Sequence, residues 1–85
     1  MFKPCVVIPV YNHEHAVGAV VRAVLGHNLS CVLVDDGSSR ECASVLDALA
    51  SSAPDRITLI RHPLNQGKGS AVLSGVRYAA RSGYT

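Results

Sequence analysis

Two short apolar runs in this chain stop abruptly in polar, turn-forming residues, and this pattern constrains the fold more than any other feature. The first run reads CVVIPVYN and the second reads CVLVDDGSS. Unbroken runs of β-branched and aliphatic residues are typical of parallel strands, which are covered on both faces of the sheet. Ligands bind such sheets at the carboxyl ends of the strands. Because Tyr11, Asn12, Asp35 and Asp36 end the two runs, they predict a ligand crevice.

Apolar residues recur at helical spacing after each predicted strand. Strands two and three are predicted at residues 31–34 and 57–60, and the third helix at residues 69–81. Strands that alternate with helices favour a parallel α/β sheet with helices packed on its faces. The residues expected to face the sheet are Ala16, Val17, Val20, Val21, Val24 and Leu25 in helix one, Cys42, Val45, Leu46 and Leu49 in helix two, and Val72, Leu73, Val76 and Ala80 in helix three.

Three separated motifs, each at a predicted strand end, relate the chain to a known family. They are Pro9-Val-Tyr-Asn12 followed by Glu14, Val34-Asp-Asp-Gly-Ser-Ser39, and Asn65-Gln-Gly-Lys-Gly-Ser-Ala71. In this order they resemble the N-terminal part of family 2 glycosyltransferases, the inverting, nucleotide-sugar-dependent GT-A type. The third motif is most similar to the branch that includes dolichyl-phosphate and polyprenyl-phosphate sugar transferases. The resemblance implies a three-layer, Rossmann-like parallel sheet, here in its N-terminal β-α-β-α-β-α portion.

The same resemblance implies a longer enzyme. The next strand of the family would end in an Asp-x-Asp motif that binds a divalent cation, Mg or Mn, and the sequence contains no such motif. A chain of 85 residues with 48% hydrophobic and only 16% charged residues is unusually apolar for its size. We therefore expect residues 1–85 to be the nucleotide-binding portion of a GT-A domain, without catalytic residues or metal ligands and inactive by itself.

The turn after strand one supplies four candidate donor-binding residues, Pro9, Tyr11, Asn12 and Glu14. The ring of Tyr11 offers a stacking wall for a nucleobase. In a plainer interpretation, Pro9 and Tyr11 only terminate the strand. Glu14 either touches the nucleoside or favours the positive N-terminus of helix one, and both interpretations stay open.

Asp35 and Asp36 are neighbours, and neighbouring side chains in a strand point to opposite faces of the sheet. Only one of them can therefore face the nucleotide. The resemblance implies that Asp36 accepts a hydrogen bond from the ring N–H of the base and that Asp35 supports the pocket or the ribose. Alternatively, either carboxylate could cap helix two.

The glycine-rich segment around Gly67 and Lys68 invites comparison with a phosphate-binding Walker A loop. That motif needs a glycine where this chain has His62 and a serine or threonine where it has Gly69. The segment still resembles a turn that opens a helix, where free N–H groups and Lys68 favour an anionic diphosphate. The alternative is an ordinary loop with a solvated lysine.

The remaining histidines and the cysteines are given no chemical role. His13 and His15 lack further partners at metal-binding spacing and are expected in a solvated loop, and capping or surface roles suffice for His27 and His62. The three cysteines, without metal-type spacing, indicate small buried hydrophobic residues in a reducing cytoplasm.

The expected partners follow from the resemblance. They are a UDP- or GDP-linked sugar and a polyprenyl phosphate acceptor, with the enzyme cytoplasmic or peripheral to the inner membrane face. A net charge of +2 argues against nucleic acid. Two other hypotheses are a phospho-accepting receiver domain, disfavoured because strand three ends in Ile60-Arg-His62 without an acid, and a non-catalytic nucleotide-binding module.

Strand one is expected at an edge of the sheet, in the order three, two, one. An apolar edge strand is a template for pairing with another chain, and helix faces left uncovered promote association. We therefore expect a homo-oligomer that buries strand one or the adjacent helix faces.

Overall fold

The computed structural model describes residues 3–85, which form a three-stranded parallel sheet covered by three helices. The strands lie in the order β1-β2-β3, which confirms the predicted α/β fold. In chain order the elements are β1 (Cys5–Val10), α1 (Val17–Gly26), β2 (Ser30–Asp36), α2 (Arg40–Ser52), β3 (Ile57–His62) and α3 (Lys68–Arg81). Strands β2 and β3 each extend two residues beyond the predicted ends, so the two aspartates lie within the sheet.

The helices divide between the two faces of the sheet and so create three layers. Helices α1 and α2 cover one face, where Val21 and Leu46 pack with Leu33 in a continuous apolar cluster. Helix α3 covers the other face, where Ala71 packs with Val34. Alternate residues of β2 therefore point to different helices. This alternation places Asp35 and Asp36 on opposite faces of the sheet.

Helix α3 packs on the sheet through small residues, which corrects the prediction from the sequence. Val72, Leu73 and Val76, expected against the sheet, are 37%, 47% and 50% exposed, and Ala80 is exposed as well. The buried residues are instead Ala71, Gly75 and Ala79, spaced four apart on the opposite side of the helix. Small side chains let the helix backbone lie close to the strands.

Gly75 is the point of closest approach between α3 and the sheet. A Cβ atom at this position would overlap Cγ1 of Val7 and come within 3.1 Å of Cγ2 of Val34. Both valines are β-branched and stiff at χ1, so they cannot turn aside freely. The small residues Ala71, Gly75 and Ala79 therefore set the distance between α3 and the sheet.

Strand β1 lies at an edge of the sheet, and the residues after α3 reach the beginning of that edge. The backbone N–H of Thr85 donates to the carbonyl of Lys3 at 2.7 Å, and the N–H of Lys3 donates to Oγ1 of Thr85 at 2.7 Å. The ammonium of Lys3 lies 4.7 Å from the ring centre of Tyr84.

Among residues 3–85, no helix has the length and hydropathy that crossing a bilayer requires.

We expect Gly75→Ala to destabilise the fold, because overpacking a core costs about 1–3 kcal/mol and exceeds the gain in helix propensity of up to about 1 kcal/mol. Gly69→Ala is the matched control on the same helix, since a Cβ there meets no atom within 4 Å. Urea unfolding of both variants measures the difference. A Gly75→Ala chain as stable as the wild type would contradict this account of the helix-sheet contact.

Candidate functional site

A cavity of about 360 Å³ opens at the carboxyl ends of β1 and β2 and beside the beginning of α3. Ligands of open α/β sheets bind at this end of the strands. The residues that line the cavity are Pro9, Val10, Tyr11, His13, Asp36, Asn65, Gly67 and Lys68. One side is thus apolar and aromatic, and the other is polar and carries a lysine.

The cavity brings together residues from all three sequence motifs. Pro9, Tyr11, Asp36, Gly67 and Lys68 line it. The other candidates from the sequence, Asn12, Glu14 and Asp35, lie outside the lining and have different surroundings. His13, expected in a solvated loop, is exposed at the cavity wall.

Asn12 joins the turn after β1 to the turn after β2. Its Oδ1 accepts a hydrogen bond from the N–H of Ser39 at 2.7 Å, and its own N–H donates to Oγ of Ser38 at 3.0 Å. The residue has φ of 56°, a left-handed conformation that asparagine tolerates better than most residues. Asn12 therefore shapes the cavity by holding these two turns together.

Glu14 faces a separate groove between α1 and α2, which it lines together with His15 and Arg22. Helix α1 begins at Val17 and has no acidic residue in its first turn. Glu14 precedes this first turn by three residues and lies outside the lining of the cavity at the strand ends.

Asp35 points toward α2 and is almost fully buried. Its carboxylate accepts a hydrogen bond from Nε of Arg61 at 2.8 Å and another from the N–H of Ser38 at 2.9 Å. Arg61 also reaches Asp47 and the carbonyl of Ala43 on α2. Asp35 does not cap α2, because the cap is Ser39, whose Oγ accepts from the N–H of Cys42. This carboxylate thus ties β2 and β3 to the helix layer.

Asp36 points to the opposite face and accepts hydrogen bonds from the segment that follows β3. Oδ1 forms hydrogen bonds with Nδ1 of His62 and with the backbone N–H of Gln66, both at 2.9 Å. Oδ2 accepts from Nδ2 of Asn65 at 3.2 Å and from the N–H of Gly67 at 3.0 Å. The hydrogen bond from His62, followed by those from the backbone, holds the pKa of Asp36 below its ordinary value.

The glycine-rich segment lies tightly against the end of β2. Gly37 has φ of 73°, and a Cβ there would overlap the backbone nitrogen of Asn65, so both conformation and space require glycine. Gly67 forms the N-cap of α3 without a side-chain cap. The first N–H groups of the helix are consequently available at the cavity beside Lys68.

Several residues of these networks, among them His62, Arg61 and Ser74, have no site role in the prediction from sequence. His62, given a capping or surface role there, is 9% exposed, and its Nε2 lies 2.8 Å from Oγ of Ser74. Arg61 likewise carried no expected role. The pairing register supplies the missing signal, since Asp35 lies opposite Arg61 and Asp36 opposite His62.

The residues of this site do not fit a divalent cation by themselves. Within residues 3–85 no group of three or more His, Cys, Asp and Glu side chains could hold a metal ion. The two neighbouring carboxylates diverge to opposite faces, and each is already engaged by protein donors. No chemical step is therefore assigned to a metal held by these residues.

We expect Asp35 to make stability depend on pH. Burial alone would raise its pKa, but the hydrogen bonds from Arg61 and Ser38 outweigh burial and lower the pKa below the ordinary 3.8. A carboxyl with a lowered pKa stabilises the fold above its unfolded-state pKa and loses that contribution as the pH falls through its folded-state pKa. Asp35→Asn should be less stable than the wild type at pH 7, with the difference shrinking below about pH 4.

Urea unfolding across this pH range tests the expectation. Asp55→Asn removes an exposed carboxyl and serves as the control, with a pH profile like that of the wild type. A gap between Asp35→Asn and wild type that stays constant from pH 7 to pH 2 would contradict the assignment.

Curated relatives share most of this chain but are much longer. The undecaprenyl-phosphate 4-deoxy-4-formamido-L-arabinose transferase of Enterobacter sp. (strain 638) is 35% identical over 79 residues, which cover 86% of this chain and 24% of the relative. The polyprenol monophosphomannose synthase of Mycolicibacterium smegmatis is 32% identical over 87 residues, covering 98% of this chain and 32% of the relative. The chain thus spans about a quarter to a third of these proteins.

A solved structure shows the same fold. The mannosyltransferase PcManGT from Pyrobaculum calidifontis, in complex with GDP-Man and Mn²⁺, superposes with a TM-score of 0.77 at 24% identity. The match covers 93% of this chain and 25% of the mannosyltransferase. The family model described as "Glycosyl transferase family 2" matches residues 5–82. The match covers nearly the whole chain and agrees with the sequence motifs and the parallel sheet. The chain therefore belongs to glycosyltransferase family 2.

Proposed function

We propose that residues 1–85 form the donor-binding portion of an inverting glycosyltransferase that transfers a sugar from a nucleoside diphosphate sugar to a polyprenyl phosphate. The observation that carries this proposal is the cavity at the strand ends, which has an aromatic wall at Tyr11 and a cationic, N–H-rich edge at Lys68. A nucleoside diphosphate has the complementary parts, a flat base and an anionic tail.

The aromatic wall suits a nucleobase. Tyr11 is 49% exposed, so a large part of its ring is free to stack against a planar ligand. Pro9 and Val10 add apolar surface beside it. The base therefore belongs at the end of β1, with the remainder of the nucleotide extending toward α3.

The opposite edge suits the diphosphate. The first turn of α3 has no side-chain cap, so its N–H groups and the positive end of the helix dipole favour an anion. Lys68 begins this helix and contributes a full positive charge to the cavity lining. Two independent features thus favour negative charge at the same place.

The remainder of the reaction is assigned to the longer protein. The polyprenyl phosphate acceptor is proposed because one curated relative is named for undecaprenyl phosphate and another for polyprenol monophosphomannose. A lipid acceptor would place the enzyme at the cytoplasmic face of a membrane. A divalent cation would take its protein ligands from outside residues 3–85, and the chain alone is proposed to lack transferase activity. The receiver-domain alternative is not favoured, because β3 ends in the basic residues Arg61 and His62.

Replacing Lys68 tests the diphosphate assignment. We expect the chain to bind GDP or UDP no more tightly than high micromolar and Lys68→Ala to weaken this affinity about tenfold, or about 1.4 kcal/mol. This is near the lower end for hydrogen bonds to charged groups, because Lys68 is exposed. Affinity for guanosine or uridine, which lack the diphosphate, should not change. Calorimetric or NMR titration measures all four ligands.

Arg77→Ala is the matched control for this experiment. It removes one positive charge from the same helix, but Arg77 does not line the cavity. An equal loss of affinity in both variants would indicate only a general charge effect. A chain that binds neither diphosphate would remove the basis of the proposed function.

We also propose that the isolated chain self-associates through the edge of β1 or the exposed face of α3. Strand β1 has a free edge beyond its contact at Lys3, and Val72, Leu73 and Val76 form an uncovered apolar surface. Sedimentation equilibrium at high micromolar concentration should therefore show a dimer or larger species, and Val72→Lys with Val76→Lys should shift it toward monomer if the helix face is buried. A clean monomer in the wild type would contradict self-association.

A further inference from the structure

We propose that His62 and Ser74 are positioning residues that hold the carboxylate of Asp36 and, through it, the loop that receives the donor diphosphate. This inference rests on the proposed function and extends it to residues outside the cavity lining. The geometric basis is a continuous chain of hydrogen bonds from α3 through the end of β3 to the loop at residues 65–67.

The carboxylate of Asp36 is already fully used by the protein. A carboxylate offers about four acceptor positions, and Asp36 contacts four donors, two on each oxygen. Three of the donors belong to the loop, at Asn65, Gln66 and Gly67, so the carboxylate organises the loop by binding it on its inner side.

Asp36, His62 and Ser74 form a hydrogen-bond relay. The direction of each hydrogen bond in this relay follows from the chemistry of the two groups that it joins. The lowered pKa of Asp36 keeps it ionised, and an ionised carboxylate only accepts hydrogen bonds. Nδ1 of His62 therefore carries a proton and donates to Oδ1. A neutral ring accepts at Nε2 from the hydroxyl of Ser74 at 2.8 Å, whereas a protonated ring donates from Nε2 to Oγ of Ser74. In either form the contact with Ser74 holds the ring in the orientation in which Nδ1 faces Asp36.

The relay acts where the proposed ligand binds. Gln66 and Gly67 direct their backbone N–H groups inward to Asp36, and the chain then turns directly into Lys68 and the first turn of α3. Ser74 lies on the same helix, less than two turns further along, so the relay fixes the loop relative to the helix that follows it. Loss of the relay should loosen the diphosphate edge and leave the Tyr11 wall unchanged.

The same three side chains also have the hydrogen-bond order of a hydrolytic Ser-His-Asp triad. The surroundings of Ser74 argue against that activity. Ser74 lies within α3 and is not among the residues that line the cavity, and its N–H belongs to the helix interior. A nucleophile of this type needs free donors aimed at the developing oxyanion. The relay is therefore assigned to positioning.

Two substitutions at one position separate the two halves of the relay. His62→Asn keeps a side-chain N–H near the position of Nδ1, within reach of Asp36, whereas His62→Gln places its amide near the position of Nε2. Ser74→Ala removes only the outer hydroxyl, and Ser44→Ala, at an exposed position on α2, is the matched control. Circular dichroism and thermal unfolding first establish that each variant folds.

The first measurement needs no ligand. Amide hydrogen exchange by NMR should be faster at Gln66 and Gly67 in His62→Gln and in Ser74→Ala, and close to wild type in His62→Asn and Ser44→Ala. The second measurement is titration with GDP or UDP and with the matching nucleoside. His62→Gln should weaken diphosphate binding roughly three- to thirtyfold, the range for residues that act through others, and leave nucleoside binding unchanged.

These results separate the inference from the proposed function. The positioning role would be overturned if amide exchange at Gln66 and Gly67 in His62→Gln and Ser74→Ala equalled that of the wild type. It would also be overturned if His62→Gln weakened nucleoside and diphosphate binding equally. Either result could be obtained while the wild type still binds the diphosphate. A wild type without any preference for the diphosphate would overturn the proposed function, and the role of the relay toward that ligand would fall with it. Hydrolysis of p-nitrophenyl acetate that disappears in Ser74→Ala would instead support the hydrolytic alternative.

Discussion

The structure depends on the need of two buried carboxylates, side by side at the end of the central strand, to find hydrogen-bond donors. Asp35 and Asp36 are 1% and 3% exposed, and a buried charge is tolerated only when it is paired and hydrogen-bonded. The donors come from the end of β3, from the turn after β2 and from the glycine-rich loop. Satisfying two charges therefore brings three separate segments to one place.

The strand geometry gives these two carboxylates different tasks. Asp35 joins the face covered by α1 and α2, where its guanidinium partner bonds to α2, so its network belongs to the scaffold. Asp36 joins the face covered by α3 and borders the cavity, so its network belongs to the site. A substitution of Asp35 should therefore change mainly the stability of the fold, and a substitution of Asp36 mainly the order of the loop at residues 65–67.

The sequence predicted the fold and the presence of a cavity at the strand ends because both depend on local patterns. Apolar runs locate the strands, and polar residues at the strand ends locate the cavity. The packing face of α3 was predicted wrongly because the stripe of Val72 and Val76 and the stripe of Ala71 and Gly75 share the same helical period. Hydrophobicity selects the larger residues, whereas close approach to the sheet selects the smaller ones. His62 was missed because only strand register brings it opposite Asp36.

The alternation at the end of β2 also protects the sheet against mispairing. Slipping β2 by one residue relative to its neighbours would exchange the faces of its side chains. Val34 and Leu33 are both apolar and could trade places at modest cost, but the carboxylates could not. A slip that brought Asp36 opposite Arg61 would place Asp35 opposite Ile60, on the face covered by α3 and without its guanidinium partner. That unmatched buried charge would penalise the slipped sheet, so the polar end of β2 helps to fix the register of the apolar core.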